Sequence, residues 1–428
     1  MATTTRRAQT TVWIVPLFYV VISLAIGLAM PRVETRIFPG LFSPMSVSSA
    51  VAIYSSVASG MIALTGIVFS LTFVMAQFSA TAYSPRLVLW LSRDPVIAHS
   101  IGVFSATFLY AIAALAGVDR GGSGKVPFVS VSIVVVLLVV SVGMFVALIQ
   151  RLGLLQINRM LIFTGDRGRE VIEMVYPLQR PASEASGSEE LRSLAPAQPL
   201  IYSGRPQSIQ SVDIAALVGL AESCGGVIEV MAAIGDTVVE MTPLLQVWGS
   251  QRAVDERALL EAIELGGERT FEQDPKYAIR LLVDIAIRAL SPAVNDPTTA
   301  VQALDQIEDL LLRIGQRHLD VGDHRDAQGK LRLVLPMPSW EDFLLLAFDE
   351  IRACGATSVQ VMRRMKALVS DLAAALPEAR RAPLRHWSRR ISGTIARSFQ
   401  DEEEQNDASV EDRQGLGVPR RRISAGND

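Results

Sequence analysis

One segment of the sequence gathers side chains that could bind an ion. Arg280, Asp284 and Arg288 recur every four residues, so on a helix they share one face and can pair with each other. The loop that follows supplies three more polar side chains, from Asn295, Asp296 and Thr298. Together with Asp284, these side chains offer carboxylate, amide and hydroxyl oxygens, which are the ligands that hard cations prefer.

Two other interpretations of this segment stay open. Arg280 and Arg288, with the N-terminus of the next helix, could hold an anion instead of a cation. Alternatively, the charged residues form a partly buried ion-pair network that fixes a helix–loop–helix. In that case Asp296 is the helix N-cap and Pro297 occupies the first helical position. The sequence favours this last, structural interpretation.

No catalytic set is visible elsewhere in the chain. Five residues in a charged turn could bind a metal, but the turn is more typical of a solvated loop: His318, Asp320, Asp323, His324 and Asp326. The four histidines are scattered, and neither Cys224 nor Cys354 has a partner nearby in sequence. We therefore expect no metal, no cofactor and no enzymatic activity.

A further set of polar side chains lies on residues 48–83, an apolar segment without Asp, Glu, Lys, Arg or His. Helical periodicity places Thr65, Thr72 and Ser79 on one face and Gln77 on a second polar face. Such hydroxyl and amide groups line water-filled paths, where they replace the hydration of a solute. The alternative, which the pattern favours, is helix packing with hydroxyls bonded to carbonyls of their own helix.

These side chains require a membrane domain to position them. Four apolar segments are long enough to cross a hydrocarbon layer of roughly 30 Å, namely residues 11–30, 48–83, 96–118 and 126–150. The second would reach roughly 50 Å as a helix, so it extends beyond the bilayer. It also carries a stripe of small residues that lets another helix approach closely: Ser48, Ala52, Ser56 and Gly60.

The first helix is predicted to end at Pro31, because proline cannot donate a helical hydrogen bond. A loop containing Arg32, Glu34 and Arg36 is expected to follow.

The distribution of basic residues predicts the orientation in the membrane. Arg6 and Arg7 precede the first helix, and four arginines follow the fourth helix: Arg151, Arg159, Arg167 and Arg169. The opposite side carries Arg32, Arg36, Arg120 and Lys125. This bias places both termini, and with them the whole second half of the chain, in the cytoplasm. No ionisable residue lies deep in a span, which argues against proton pumps.

The remaining residues are predicted to form a cytosolic α+β domain. Residues 151–202 combine an amphipathic helix with a Pro-rich linker, and residues 203–250 form a small β-barrel or sandwich-like module. Residues 251–400 are predicted to be helical with one short strand at residues 331–335, and residues 401–428 to be a disordered tail. Helices are expected to start at Asp274-Pro275 and at Asp296-Pro297.

Composition limits the partners of the chain. The 428 residues carry a net charge of −3 and only 6% aromatic residues, so neither a basic field nor a stacking surface indicates nucleic acid. Membrane lipids are the expected partners of the apolar helices. The basic residues 380–391, with Trp387 and Ile391 interleaved, are compatible with anionic lipid headgroups or with a solvated helix face.

Several of these motifs resemble one known family. The run Asn295-Asp296-Pro297-Thr298-Thr299, with Phe69-Ser70-Leu71-Thr72, Ser84-Pro85-Arg86 and the Gly235-Asp236 hairpin, is similar to bacterial predicted membrane proteins, domain of unknown function 2254. The resemblance extends from the first helix to about residue 375. It implies an integral inner-membrane protein with a cytosolic domain, and it implies no established activity.

The sequence thus predicts a multi-pass membrane domain of four transmembrane helices, followed by a cytosolic α+β domain with helical hairpins. Because four helices alone enclose little space, we expect a homo-oligomer. The leading hypothesis is a channel-like protein that passes ions or small solutes. The alternative is a non-transporting scaffold or sensor whose cytosolic domain binds a ligand or partner.

Overall fold

The computed structural model describes residues 4–37, 41–82, 95–118, 125–152, 157–178, 187–250 and 252–417. The chain divides into two compact units, Met1–Gln156 and Ile157–Asp428. The first unit is built from apolar helices, and the second from short strands and amphipathic helices.

Four long helices form the first unit: α1 (Thr4–Ile37), α2 (Val47–Ala82), α3 (Pro95–Leu115) and α4 (Phe128–Leu152). Each contains a stretch long and apolar enough to cross a membrane, which confirms the prediction of four candidate spans. A two-residue antiparallel pair, β1 (Phe42–Ser43) and β2 (Val126–Pro127), connects the segments that precede α2 and α4.

Helix α3 lies at the centre of the first unit, with 61% of its apolar stretch buried against 17–28% for the other three. Small residues allow α1 to approach it closely, since a Cβ added to Gly27 would lie 2.7 Å from the Cβ of Ala113. On the other side, the hydroxyls of Thr107 on α3 and Ser141 on α4 are 2.9 Å apart. The hydroxyl groups of these helices are therefore used in helix packing.

The prediction that Pro31 ends the first helix is wrong, because α1 continues to Ile37. Pro31 is buried against Gly117, where a Cβ would lie only 3.1 Å from the proline Cγ. Packing with a neighbouring segment thus outweighs the missing backbone N–H, which alone would favour a helix end.

As a result, Glu34 lies in α1 rather than in a loop. Its buried carboxylate accepts hydrogen bonds from the backbone N–H of Val129 at 2.6 Å and of Ser130 at 3.0 Å. Both N–H groups belong to the first turn of α4, which has no intrahelical partners for them. Glu34 therefore caps α4 and complements the positive end of its helix dipole.

The second unit begins with α5 (Ile157–Val175) and α6 (Gly187–Arg192). A mixed region follows: β3 (Pro196–Ile201), β4 (Gln207–Val212), α7 (Ile214–Cys224), β5 (Val227–Val230), β6 (Thr237–Val238), β7 (Pro243–Trp248), α8 (Glu256–Glu261) and β8 (Ile263–Gly266). The remaining elements are mainly helical: α9 (Pro275–Ala289), α10 (Pro297–Gly315), β9 (Asp323–Arg325), β10 (Leu331–Val334), α11 (Trp340–Cys354), α12 (Val359–Ala375), α13 (Glu378–Ser398) and α14 (Glu402–Ser409).

The strands of the second unit form two sheets. One has the order β3-β7-β5-β10-β9, in which β5 and β10 are parallel and Leu333 is opposite Ile228. The other is antiparallel with the order β6-β4-β8. Alternate residues of β5 and β7, such as Ile228, Val230, Leu245 and Val247, are buried in one apolar core. The described residues form no closed barrel, so only the sheet content of the predicted module is present.

Three boundaries in this unit differ from the predicted ones. Strand β3 lies in the predicted linker, where Pro196 and Pro199 are tolerated because β3 is an edge strand. Residues 251–400 contain three strands rather than one, because β8 and β9 are only four and three residues long. The predicted disordered tail includes α14, and Arg413 pairs with Asp371 of α12 at 2.7 Å. Residues 418–428 lie outside the described residues.

Helices α9 and α10 start at the two predicted Asp-Pro pairs and pack against each other. Each is strongly amphipathic, with apolar residues buried at helical spacing along one side. Helices α5, α11 and α12 cover this pair. The packing places the start of α9 beside the end of α5, which creates the site described next.

Candidate functional site

The second unit contains a cavity of about 530 Å³ where the ends of several elements meet. Its walls come from the end of α5, the start of α7, the loop after β5, the start of α9, the segment that leads into β9, and the residues after β10. The volume lies within the range of roughly 300–1,000 Å³ that is typical of small-molecule sites.

Backbone hydrogen bonds tie the walls of the cavity together. The His318 N–H donates to the Pro177 carbonyl at 3.1 Å, which joins the segment before β9 to the end of α5. The Leu335 N–H donates to the Gly322 carbonyl at 2.9 Å, which joins the residues after β10 to the same segment. The walls are therefore pre-formed by regular contacts.

Much of the lining is apolar. Ile214, Ile234 and Met337 are half-buried and pack on the core of the sheets. Three prolines add rigid apolar surface without a backbone donor: Pro177, Pro336 and Pro338. An apolar wall with a few polar groups is the usual composition of a ligand pocket.

The main polar group of the cavity is the carboxylate of Asp274, which is 2% exposed. Its Oδ2 accepts hydrogen bonds from Nε and Nη2 of Arg269 at 2.9 and 2.5 Å. Its Oδ1 has no partner of normal hydrogen-bond geometry among the described residues, although the nearby Tyr277 N–H lowers its pKa slightly. Burial dominates and raises the pKa of Asp274, while Arg269 opposes the rise.

Two more buried polar atoms belong to residues that line the cavity. The hydroxyl of Tyr176 and Nε2 of His324 have no hydrogen-bond partner among the described residues. Burial, and then the charge of Asp274, raise the pKa of Tyr176. Burial lowers the pKa of His324, an effect that Asp323 opposes.

Unpartnered buried polar atoms are rare in folded proteins, because each costs about 1–3 kcal/mol of desolvation. Three residues of one cavity carry such an atom here: Tyr176, Asp274 and His324. The atoms themselves are closed off from water, so a bound molecule that donates and accepts hydrogen bonds would satisfy them only if these side chains turn toward it. The arrangement is therefore able to bind a polar group deep in an otherwise apolar pocket.

The two Asp-Pro pairs differ in what their carboxylates do. Asp296 caps α10, because its oxygens accept from the N–H and the hydroxyl of Thr299 at 3.1 and 2.6 Å. Asp274 precedes α9 in the same way but makes no side-chain cap. Its carboxylate is thus available to the cavity and to Arg269 instead of to its own helix.

The ion-binding residues predicted from the sequence are mostly engaged with protein. Arg280 pairs with Asp284 and, through both terminal nitrogens, with Glu350 of α11. These contacts raise the pKa of Arg280 and lower that of Glu350. Asp284 uses an oxygen in the ion pair with Arg280, and Asp296 uses one in the cap of α10. The contacts of these residues are therefore those of an ion-pair network and a helix cap.

The other three predicted residues differ in their exposure to solvent. Arg288 is half-buried in the last turn of α9, whereas Asn295 and Thr298 are exposed. Asn295 has a φ of 49°, in the left-handed region that asparagine tolerates better than most residues. Among the described residues, no group of three or more His, Cys, Asp or Glu side chains could hold a metal.

The predicted pore-lining residues all lie in α2. Thr65 is half-buried and donates to the Met61 carbonyl at 2.7 Å, as the helix-packing alternative predicts, and Gln77 is exposed. Thr72 and Ser79 lie in α2, but their side chains fall outside the described ones. A role of α2 in permeation stays a prediction.

The apolar residues among the basic ones of α13 pack into the second unit, and some of its arginines form ion pairs. Trp387 and Ile391 are buried in it, Arg390 pairs with Asp349 at 2.8 Å, and Arg381 pairs with Glu378 at 2.8 Å. The apolar side of this helix is therefore covered by protein and is not available to lipid.

Sequence reasoning missed the cavity itself. It identified His318, Asp320, Asp323 and His324 as a charged turn, and Asp274 only as a helix start. Tyr176 gave no signal. The one usable hint was the repeated Asp-Pro pair. An aspartate just before a helix-starting proline is expected to cap that helix, but it is free for another role when a nearby arginine binds it.

Comparison with known proteins gives the family but no activity. The model of a family described as a predicted membrane protein, domain of unknown function 2254, matches residues 9–371. Uncharacterized proteins of Mycobacterium bovis and Mycobacterium tuberculosis strain H37Rv are each 27% identical to the chain over 409 residues. Those matches cover 92% of this chain and 78% of each relative. No solved structure matches the chain significantly.

Proposed function

Because the chain belongs to this family of predicted membrane proteins, we propose that it is a membrane-anchored sensor whose second unit binds a small ligand. The observation that carries the proposal is the cavity, in which three lining residues bury a polar atom without a partner: Tyr176, Asp274 and His324. Such atoms call for an explanation, and a bound ligand would supply the missing hydrogen bonds.

The membrane placement in this proposal follows the basic residues that flank the spans. Arg6 and Arg7 lie on the same side as the arginines that follow α4, which supports cytoplasmic termini in a bacterial inner membrane. The ligand would then be a cytoplasmic molecule. Binding without catalysis is proposed, because the cavity offers no activated nucleophile next to a base.

The proposal is tested by filling the cavity of the full-length protein in detergent. Met337→Trp places an indole in the pocket, and Leu345→Trp adds the same group at an exposed position of α11. A panel of small amines, alcohols and carboxylates is screened by thermal stabilisation, because a ligand that binds only the folded state raises its melting temperature.

We expect at least one compound to stabilise the wild type and Leu345→Trp but not Met337→Trp. Stabilisation that survives Met337→Trp places the binding elsewhere and refutes the proposal. A panel without any stabilising compound also counts against it, since the cavity is already formed and needs no partner to open.

A second candidate, a homo-oligomeric channel, is favoured by the exposed face of α2. The small-residue stripe is exposed along its length, at Ser48, Ala52, Ser56 and Gly60. Ser70 and Gln77 are exposed as well, and a Cβ at Gly66 would meet no atom within 4 Å. A second copy could pack on such a surface or leave a polar path between copies.

Planar-bilayer recording of the purified protein tests this candidate. A pore along α2 predicts discrete currents, and Ser70→Asp should increase the preference for cations because it adds negative charge to the path. An intact oligomer that stays silent across salts and voltages contradicts the channel hypothesis and leaves the sensor proposal untouched.

A further inference from the structure

The charges that line the cavity are mainly negative. Three carboxylates and one ammonium group contribute, from Asp274, Asp320, Asp323 and Lys276. With the two histidines counted as neutral, the formal charge of the lining is −2, or −1 when Arg269, which pairs with Asp274, is included. A field of this sign attracts a cation and repels an anion, and the effect is larger inside a low-dielectric wall.

The deepest polar group adds chemical specificity to this charge. An ionised carboxylate only accepts hydrogen bonds, and Oδ1 of Asp274 lacks a donor among the described residues. An ammonium group supplies three donors and a full charge at once. The Tyr176 hydroxyl belongs to a residue of the same cavity, is also unpartnered among those residues, and could accept one of the remaining donors.

The apolar walls determine the rest of the ligand. Ile214, Ile234, Leu335 and Met337 surround the polar group with aliphatic surface. A strongly hydrated inorganic ion would have to give up its water against these side chains without replacement. An organic cation instead buries its hydrocarbon part there and keeps only its charged end at the carboxylate.

We infer that the cavity binds a small organic amine as its cation, with the ammonium group on the Asp274 carboxylate and the apolar body against the aliphatic walls. This inference rests on the proposed ligand-binding function and names its substrate class. An anion such as a phosphate ester is excluded by the same lining charges.

A pH dependence follows from the groups that surround the carboxylate. Those groups come from the loop before α9, from α9, from the end of α5 and from the segment leading into β9: Arg269, Lys276, Tyr176, His318, Asp320, Asp323 and His324. Amine binding requires ionised Asp274, and burial raises the pKa of that group. On acidification, the affinity for the amine should therefore begin to fall at a higher pH than it would if the amine bound an exposed aspartate.

Three probes of similar shape test the inference on the full-length protein in detergent: phenethylamine, phenylethanol and phenylacetate. They share an aromatic body and carry a cationic, a neutral and an anionic end. Equilibrium binding is measured by isothermal titration calorimetry at neutral pH and again under mildly acidic conditions. We expect phenethylamine to bind at least about tenfold more tightly than the other two probes, because a charge-assisted hydrogen bond contributes about that much affinity.

A matched pair of variants assigns the binding to the carboxylate. Asp274→Asn and Asp320→Asn each remove one negative charge from the lining, but only the first alters the buried group. We expect Asp274→Asn to weaken phenethylamine about tenfold and Asp320→Asn less than about threefold. Tyr176→Phe, which keeps the ring packed on Phe343, should weaken it about threefold and provides a second probe if Asp274→Asn misfolds.

The outcomes separate this inference from the proposed function. Tighter binding of phenylethanol or phenylacetate, lost in Met337→Trp, overturns the amine inference while the cavity remains a ligand site. Equal effects of Asp274→Asn and Asp320→Asn overturn it as well, because the attraction is then only long-range. Failure of all three probes to bind overturns the inference, and the wider panel described above then decides the proposed function alone.

Discussion

Replacing Arg269 by glutamine removes the cation that pairs with the buried Asp274 carboxylate. The guanidinium donates two hydrogen bonds to Oδ2, at 2.9 and 2.5 Å. Removing one partner of a buried ion pair usually costs about 3–5 kcal/mol, because the other charge stays buried. Since the Arg269 side chain is 24% exposed, water can reach the site, and we expect about 3 kcal/mol of unfolding free energy to be lost at neutral pH.

The double variant Arg269→Gln/Asp274→Asn serves as the matched control. It leaves no buried charge, and its two amides can bond to each other, so most of the lost stability should return. Asp274→Asn alone should change the unfolding free energy by less than about 2 kcal/mol, because the amide oxygen still accepts from Arg269. The coupling between the two sites is read from the complete double-mutant cycle.

The sign of the pH dependence follows from the direction of the pKa shift. Burial raises the pKa of Asp274 above its value in the unfolded chain, so the folded state holds the proton more tightly. This group therefore favours folding more as the pH falls through its folded pKa. Loss of Arg269 raises that pKa further, so the deficit of Arg269→Gln should shrink on acidification and be largest at neutral pH.

Urea unfolding of the full-length protein in micelles, followed by tryptophan fluorescence, measures these differences. Three of the five tryptophans report on the second unit: Trp248, Trp340 and Trp387. A deficit below about 1 kcal/mol for Arg269→Gln at neutral pH would refute the argument, because the carboxylate would then not behave as buried. A double variant as unstable as Arg269→Gln would refute it in the same way.

Four further substitutions test the roles of other residues, three by the same unfolding assay and one by the melting temperature. Asp296→Ala should cost about 1 kcal/mol, the usual value of an N-cap, and leave phenethylamine affinity unchanged, so weakened binding would contradict its assignment as a cap. Gly235→Ala should cost more than about 2 kcal/mol, because its φ is +89° and the new Cβ would lie 2.3 Å from Oδ2 of Asp274. Gly329→Ala should cost only about 1 kcal/mol, because Gly329 has a φ of +79° but open space around it. Equal costs for the two glycine substitutions would show that backbone strain, and not the cavity wall, determines the loss of stability. Glu34→Ala should lower the melting temperature of the full-length protein, because two N–H groups of α4 lose their acceptor at about 1 kcal/mol or more, and an unchanged melting temperature would show that the cap is dispensable.

The elements that the sequence predicts best are those determined by local pattern. The four apolar spans and the helix starts at Asp274-Pro275 and Asp296-Pro297 are present, because hydrophobic length and proline position act over a few residues. Pro31 is the exception, since its burial against Gly117 depends on a contact distant in sequence. The edge position of β3 is a second exception, since it depends on pairing with β7, which is distant in sequence.

Local sequence patterns could not predict the candidate site. Tyr176, Asp274 and His324 are far apart in sequence, and each alone is an ordinary buried or turn residue. Asp274 and Asp296 both precede a proline at a helix start, but Asp296 accepts from the N–H and hydroxyl of Thr299, whereas Asp274 accepts from Arg269. The partners that distinguish the two aspartates thus lie within five residues of each.

Hydrogen–deuterium exchange of the full-length protein, with and without phenethylamine, tests the ligand-binding account most directly. The account predicts slower exchange at the start of α9, in residues 318–324 and in residues 335–338, because a bound molecule closes these walls of the cavity. The same segments should not respond in Asp274→Asn. Unchanged exchange in all three segments at saturating ligand, or protection confined to α2, would contradict it.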